Sequence, residues 1–225
     1  MKFLRRLFKR SEPARTELRD SVRVALMMRT AKLVSRHGEY LCTVLDVSRS
    51  GVRIGLFHNA PPDEFLFLEL ANGEIYAIQN VWKLPGKDGG EAGYRFSAHI
   101  DVDAFIEEPC DHPRRPIRLN FRRWACLTAG GRDYQGHLVN LSQKGACIEI
   151  SGSLAVGEQV RLEVPGLPLR FGQIRWTRKN ACGIMFQTAF RMDELARYAA
   201  ALQPYESAGD PFDQSGEGGR RRKTA

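Results

Sequence analysis

The chain has 225 residues, 43% hydrophobic and 27% charged, an ordinary balance for a soluble globular protein and enough for two domains of roughly 100 residues each. A formal net charge of +8 points to anionic partners such as a nucleotide, nucleic acid or an acidic membrane surface, and no apolar run approaches the roughly 20 residues that span a bilayer. The five cysteines (Cys42, Cys110, Cys126, Cys147, Cys182) are scattered without a C-x-x-C pair, which argues against a disulfide framework or a zinc site and for a reducing cytoplasm.

The chain opens with "MKFLRRLFKR". Phe3, Leu4, Leu7 and Phe8 fall on one helical face and Lys2, Arg5, Arg6, Lys9 and Arg10 largely on the other, the pattern of an interfacial amphipathic helix. Residues 1–14 are read as a basic tail, either a peripheral contact with anionic membrane through residues 1–10 or a solvated end, since ten residues are marginal as a helix in water. From residue 15 to 108 the signal is period two. "TVLDVS" sets Leu45 and Val47 against Val44, Asp46 and Ser48, and "EFLFLEL" and "IYAIQNVW" continue the strands, with "ANGE" supplying turn chemistry between them. "PGKDGG" reads as a long loop and "VDAFIEE" as a short helical segment.

Residues 109–204 repeat this order. "LVNLS", "EQVRLEV" and "LRFGQIRW" return the strands, with "PGLP" between the last two. Asp46, Ser48 and Gly51 match Asn140, Ser142 and Gly145 at a constant offset of 94, as do Tyr40 and Tyr134, Glu69 and Glu163, and Trp82 and Trp176. The offset becomes 95 for "RDSVR" against "RRPIR" and 90 for "GYRF" against "GIMF", and such shifts belong in loops. The repeat therefore spans whole domains. Evenly spaced short strands predict two tandem small antiparallel β-barrels, mainly β overall. "AFRMDELARYAAALQ" adds an α-helix after the second barrel, and residues 205–225, Gly-rich and ending in a basic cluster, read as a disordered tail.

In each copy Arg-x-x-x-Arg (Arg19 and Arg23; Arg114 and Arg118) precedes Asp/Asn-x-Ser-x-x-Gly (Asp46, Ser48, Gly51; Asn140, Ser142, Gly145) by about 22 residues. This pattern resembles the PilZ domain, the bacterial receptor for cyclic di-GMP, twice over from about Arg19 to Glu108 and Arg114 to Leu202. The resemblance implies a six-stranded barrel per copy, with the arginine pair on an arm that closes over nucleotide held against the barrel. It implies cyclic di-GMP as ligand, with no cofactor or metal, and Arg115 as a further contact or a solvated neighbour.

These residue types suit that ligand chemically. A guanidinium fork meets guanine O6 and N7 with two parallel hydrogen bonds and pairs equally with phosphate. A carboxylate or amide oxygen accepts from guanine N–H groups, and a serine hydroxyl donates to phosphate. Glycine allows a tight or positive-φ turn and close backbone approach. The bland alternatives are Asx-turns and hairpin glycines. The recurring Trp82 and Trp176 are read as core packing and left out of the site.

Both copies are expected to bind, the ligand changing the arrangement of the barrels and so the surface shown to a downstream protein partner. The histidines lie on unrelated segments without H-E-x-x-H, G-x-S-x-G or a P-loop, so enzymatic function finds no support. A ligand-free docking module and a basic nucleic-acid-binding barrel are the alternatives. The second lacks the interleaved aromatics of a stacking platform.

Overall fold

The computed structural model describes residues 24–86, 89–109 and 116–203. The two tails and Arg19, Arg23, Arg114 and Arg115 lie outside the described residues. The first barrel comprises β1 (Val24–Ser35), β2 (Gly38–Val47), β3 (Gly51–Leu56), β4 (Phe65–Glu69), β5 (Ile75–Gly86) and β6 (Gly89–Phe96), followed by helix α1 (Val102–Glu107). The second comprises β7 (Leu119–Ala129), β8 (Arg132–Ser142), β9 (Gly145–Ile150), β10 (Gln159–Glu163), β11 (Arg170–Arg178) and β12 (Ala181–Phe186), followed by α2 (Met192–Leu202). Each is a closed antiparallel barrel of six strands with the same strand order. "PGKDGG" is shorter as a loop than expected, because β5 continues through Pro85 and Gly86 and pairs with Gly90 and Gly89.

Period-two alternation fills both interiors. Leu33, Tyr40, Cys42, Val44, Ile54, Leu68 and Ile78 pack the first, and Leu127, Leu138, Leu141, Ile148, Leu162, Ile174 and Ile184 the second. α1 adds buried Phe105 to the first core, against Tyr76 and Phe96. Asp101 caps this helix by accepting from the amides of Asp103 and Ala104, which satisfies first-turn donors.

Alternation breaks at matching places. A bulge at Leu45, between the pairs Val44–Ile54 and Asp46–Arg53, recurs at Val139, between Leu138–Ile148 and Asn140–Cys147. A second bulge, at Val81, recurs at Arg175. An extra residue reverses which side chains face out. Val44 and Asp46 were expected on one face of an unbroken strand. Instead Val44 lies in the core, the next inward residue is Val47, and Asp46 turns outward.

Strand β2 is buried on both faces from Tyr40 to Val44. Its outer face meets α2, and Leu41 belongs to the second barrel's hydrophobic cluster, with Phe57 packed against it. α2 therefore bridges the barrels instead of packing on one: Leu195, Ala196 and Ala199 face the second core, and Ala200 packs against the first. Beyond the helix, the Gln203 amide brackets Glu39, accepting from its N–H at 3.0 Å and donating to its carbonyl at 2.9 Å. The Tyr40 hydroxyl donates to the Gln203 carbonyl at 2.8 Å. Gly38, at φ +146°, leaves room for that amide, since a Cβ there would stand 2.2 Å from Gln203 Oε1. No described helix is long and apolar enough to cross a membrane.

Candidate functional site

The Asp/Asn-x-Ser-x-x-Gly string is a tight turn joining two strands of each barrel. In the first copy the Ser48 amide donates to the Gly51 carbonyl at 2.8 Å, while the Ser48 hydroxyl donates to that carbonyl and accepts from the Gly51 amide. In the second, the Ser142 hydroxyl donates to the Gly145 carbonyl at 3.1 Å. The serine protons thus serve the turn, where donation to a phosphate was expected. The amides of Phe96 and Phe186 bind the carbonyls of Ser50 and Lys144, fastening each turn to the last strand. Neither Gly51 nor Gly145 has positive φ; both are needed for close approach. A Cβ at Gly51 would lie 2.8 Å from the Tyr94 carbonyl, and one at Gly145 2.1 Å from that of Ile184.

On the first barrel Asp46 is 7% exposed, and its Oδ2 accepts from Arg53 Nε at 2.6 Å. Arg53 also reaches Glu91 at 3.1 Å. The hydrogen bond to Asp46 leads the effects that raise the Arg53 pKa. This outer surface is a carboxylate–guanidinium–carboxylate row with an acceptor already engaged. The neighbouring Arg95 donates to Gln79 at 2.8 Å.

The second barrel carries the same frame with different charges. Asn140 faces Cys147 where Asp46 faces Arg53. Arg118, exposed just before β7, approaches Asn140 Oδ1 at 3.5 Å, the long limit of a hydrogen bond. Burial pushes the Cys147 thiol up, and the charge of Arg118 pulls it the other way. Arg118, Ser142 and Gly145 line one cavity of about 240 Å³ with Lys144, Arg175 and Trp176. Three of the expected residues therefore meet in one concavity, with Asn140 beside it.

Lys144, Arg175 and Trp176 were missed in the sequence. Trp82 and Trp176 do not pack the core as expected. The second bulge turns them outward, so that each indole lies over a glycine, Gly93 or Gly183, where a Cβ would come within 2.1 or 2.0 Å of the ring nitrogen. Trp82 is 37% exposed, and Trp176 lines the cavity. The repeated glycine opposite each tryptophan, in "GYRF" and "GIMF", was the available signal. A further cavity of about 290 Å³ includes Arg122, Trp124 and Glu149, but its arginine pairs with Glu149 at 3.4 Å.

Among solved structures, the chain is similar to PlzA of Borreliella burgdorferi in complex with c-di-GMP, at 9% identity over 79% of this chain and 88% of that one, with a TM-score of 0.32. It is also similar to the Bacillus subtilis inhibitor of motility MotI/DgrA, at 12% identity, 79% and 98% coverage, and 0.34. YcgR of Escherichia coli in complex with c-di-GMP matches at 10% identity, 77% and 81% coverage, and 0.31. A comparison with curated proteins found no match. The family model for the PilZ domain matches residues 14–108 and again 112–201. With both barrels matched over most of its length, the chain belongs to the PilZ domain family, whose domain it carries twice in tandem.

Proposed function

We propose that the chain is a cyclic di-GMP receptor whose competent site lies on the second barrel. The observation that carries this reading is the cavity lined by Arg118, Lys144, Arg175 and Trp176 together with Ser142 and Gly145 of the turn. Three cations suit a ligand with two phosphates, a guanidinium suits its guanine edge, and an indole offers a stacking face. About 240 Å³ falls below the roughly 300–1,000 Å³ of common ligand pockets. A dinucleotide would seat one end there and cross the rim beside Pro116, where the chain bearing Arg114 and Arg115 joins.

The first barrel offers Ser50 and Val81 at the positions of Lys144 and Arg175, and Asp46 is bound to Arg53. The expectation that both copies bind narrows accordingly to one. Binding would act through the junction between the barrels on a downstream protein, in the cytoplasm or against an anionic membrane reached by residues 1–10. Titration calorimetry of the full chain tests this, with GTP and short single-stranded DNA as controls. Arg118→Ala should weaken cyclic di-GMP binding about 10- to 100-fold, the scale of one or two lost charge-assisted hydrogen bonds. Asp46→Ala should stay within about twofold. Comparable losses would mean two working sites, and no binding by the wild type would favour a protein-docking module.

A further inference from the structure

We infer that Lys32 and Glu39 of the first barrel are positioning residues for Arg118 of the second; this rests on the reading of the second barrel as the nucleotide site. Lys32 sits between the core residues Ala31 and Leu33 and so faces outward, yet it is only 3% exposed. Its ammonium has three donors and three acceptors: Glu69 Oε2 at 2.9 Å, Glu39 Oε2 at 3.1 Å and the Arg118 carbonyl at 3.3 Å. Two are carboxylates of its own barrel, and the third is the main chain of the ligand arm on the other.

Glu39 takes hold two residues further along. It accepts from the Asn120 amide at 2.7 Å and from Asn120 Nδ2 at 3.1 Å. Residues 118 and 120 flank Leu119, fully buried in the second core. The backbone that carries Arg118 is thus clamped by the first barrel on both sides of its anchor, and this sets where the guanidinium stands toward Asn140 and the cavity.

The duplicated barrel supplies the contrast. The position of Lys32, one before the leucine that pairs with the repeated tyrosine, is Cys126 in the second barrel. The opposing acid is kept, as Glu69 and Glu163. A lysine is therefore not a requirement of the barrel; it occurs where a neighbouring barrel's arm must be held. Linkage is reciprocal, so nucleotide at Arg118 tightens the junction by the factor that the junction lends to binding.

The test is calorimetric titration of the full chain with cyclic di-GMP for the wild type, Lys32→Met, Arg118→Ala and the double variant, with folding checked by circular dichroism. Lys32→Met should weaken binding about tenfold, yet change affinity by less than about twofold when Arg118 is already alanine. Glu39→Gln, nearly isosteric, should weaken binding in the same direction and carries the test if the methionine variant does not fold. Wild-type affinity in folded Lys32→Met or Glu39→Gln, or losses that simply multiply in the double variant, would overturn the positioning role while leaving the site intact. A wild type that does not bind, or binding indifferent to Arg118→Ala, would instead bring down the site reading and this inference with it.

Discussion

The two barrels share strand order, bulges, turn and glycine-seated tryptophan, yet they present opposite surfaces. In the first, Arg53 is shared between the carboxylates of Asp46 and Glu91. In the second, Asn140 and Cys147 occupy the two matching ladder positions, and Arg118, Lys144 and Arg175 gather at one concavity. A second difference lies on β2 and its counterpart β8. "YLCTV" is buried on both faces because α2 covers it, whereas "YQGHLV" places Gln135 and His137 beside an open cavity. The first copy's β2 lies under α2, and the second copy's cavity gathers three cationic side chains. Duplication preserved the frame, which depends on backbone pairing, and freed the outward residues, which do not.

The largest effect should come from the turn glycines. Gly145→Ala forces a Cβ to 2.1 Å from the Ile184 carbonyl, against 2.8 Å from that of Tyr94 at Gly51. Because the obstacle is neighbouring backbone, we expect losses of about 3 and about 1 kcal/mol respectively, read by urea unfolding. Equal losses would mean that the two turns are equally tolerant.

Transplanting the first barrel's pair tests the charge contrast. Asn140→Asp with Cys147→Arg should build the Asp46–Arg53 bond in the second barrel and reduce cyclic di-GMP affinity about tenfold by calorimetry. Unchanged binding would show that this pair does not separate the copies. Next in size are the tryptophans. Trp176→Ala should weaken binding about three- to tenfold, the worth of one aromatic contact, and remove most of the ligand-induced fluorescence change. Trp82→Ala should do neither.

The smallest effect separates the barrels by pH. His58 packs at a tilt against Tyr40 with ring centroids 5.1 Å apart, whereas the counterpart Tyr134 lies against Gly152. Burial holds the His58 pKa below its ordinary 6.5. Between the folded and unfolded pKa values the unfolded chain binds more protons, so this contribution is complete above about pH 6.5 and is lost as pH falls toward the folded value. Urea midpoints at pH 7.5 and 5.5 should therefore diverge more for the wild type than for His58→Gln. Identical pH dependence would place the sensitivity elsewhere.

Much of this was legible in the chain. Period-two runs and a constant offset of 94 specify two like barrels, because pleated strands need alternation and a duplicated fold retains its spacing. The turn motif was legible too, since its glycine answers a backbone constraint. The outward turn of Trp82 and Trp176, and the bulges that produce it, were not. A bulge inserts one residue without a fixed composition, and Leu45, Val81, Val139 and Arg175 share no sequence mark. The tryptophans were assigned to the core because a repeated aromatic on a strand usually packs there.

The amino-acid sequence by itself determined the duplication, the barrel class, the helix after the second copy and the family motif, all of which rest on local spacing. Only the tertiary structure decided that α2 joins the barrels, that Lys32 is buried against the second barrel's arm, and that Asp46 is held by Arg53 while Asn140 is approached by Arg118. Those outcomes depend on which outward residues meet across strands and between barrels, a pairing of distant positions that no local pattern encodes.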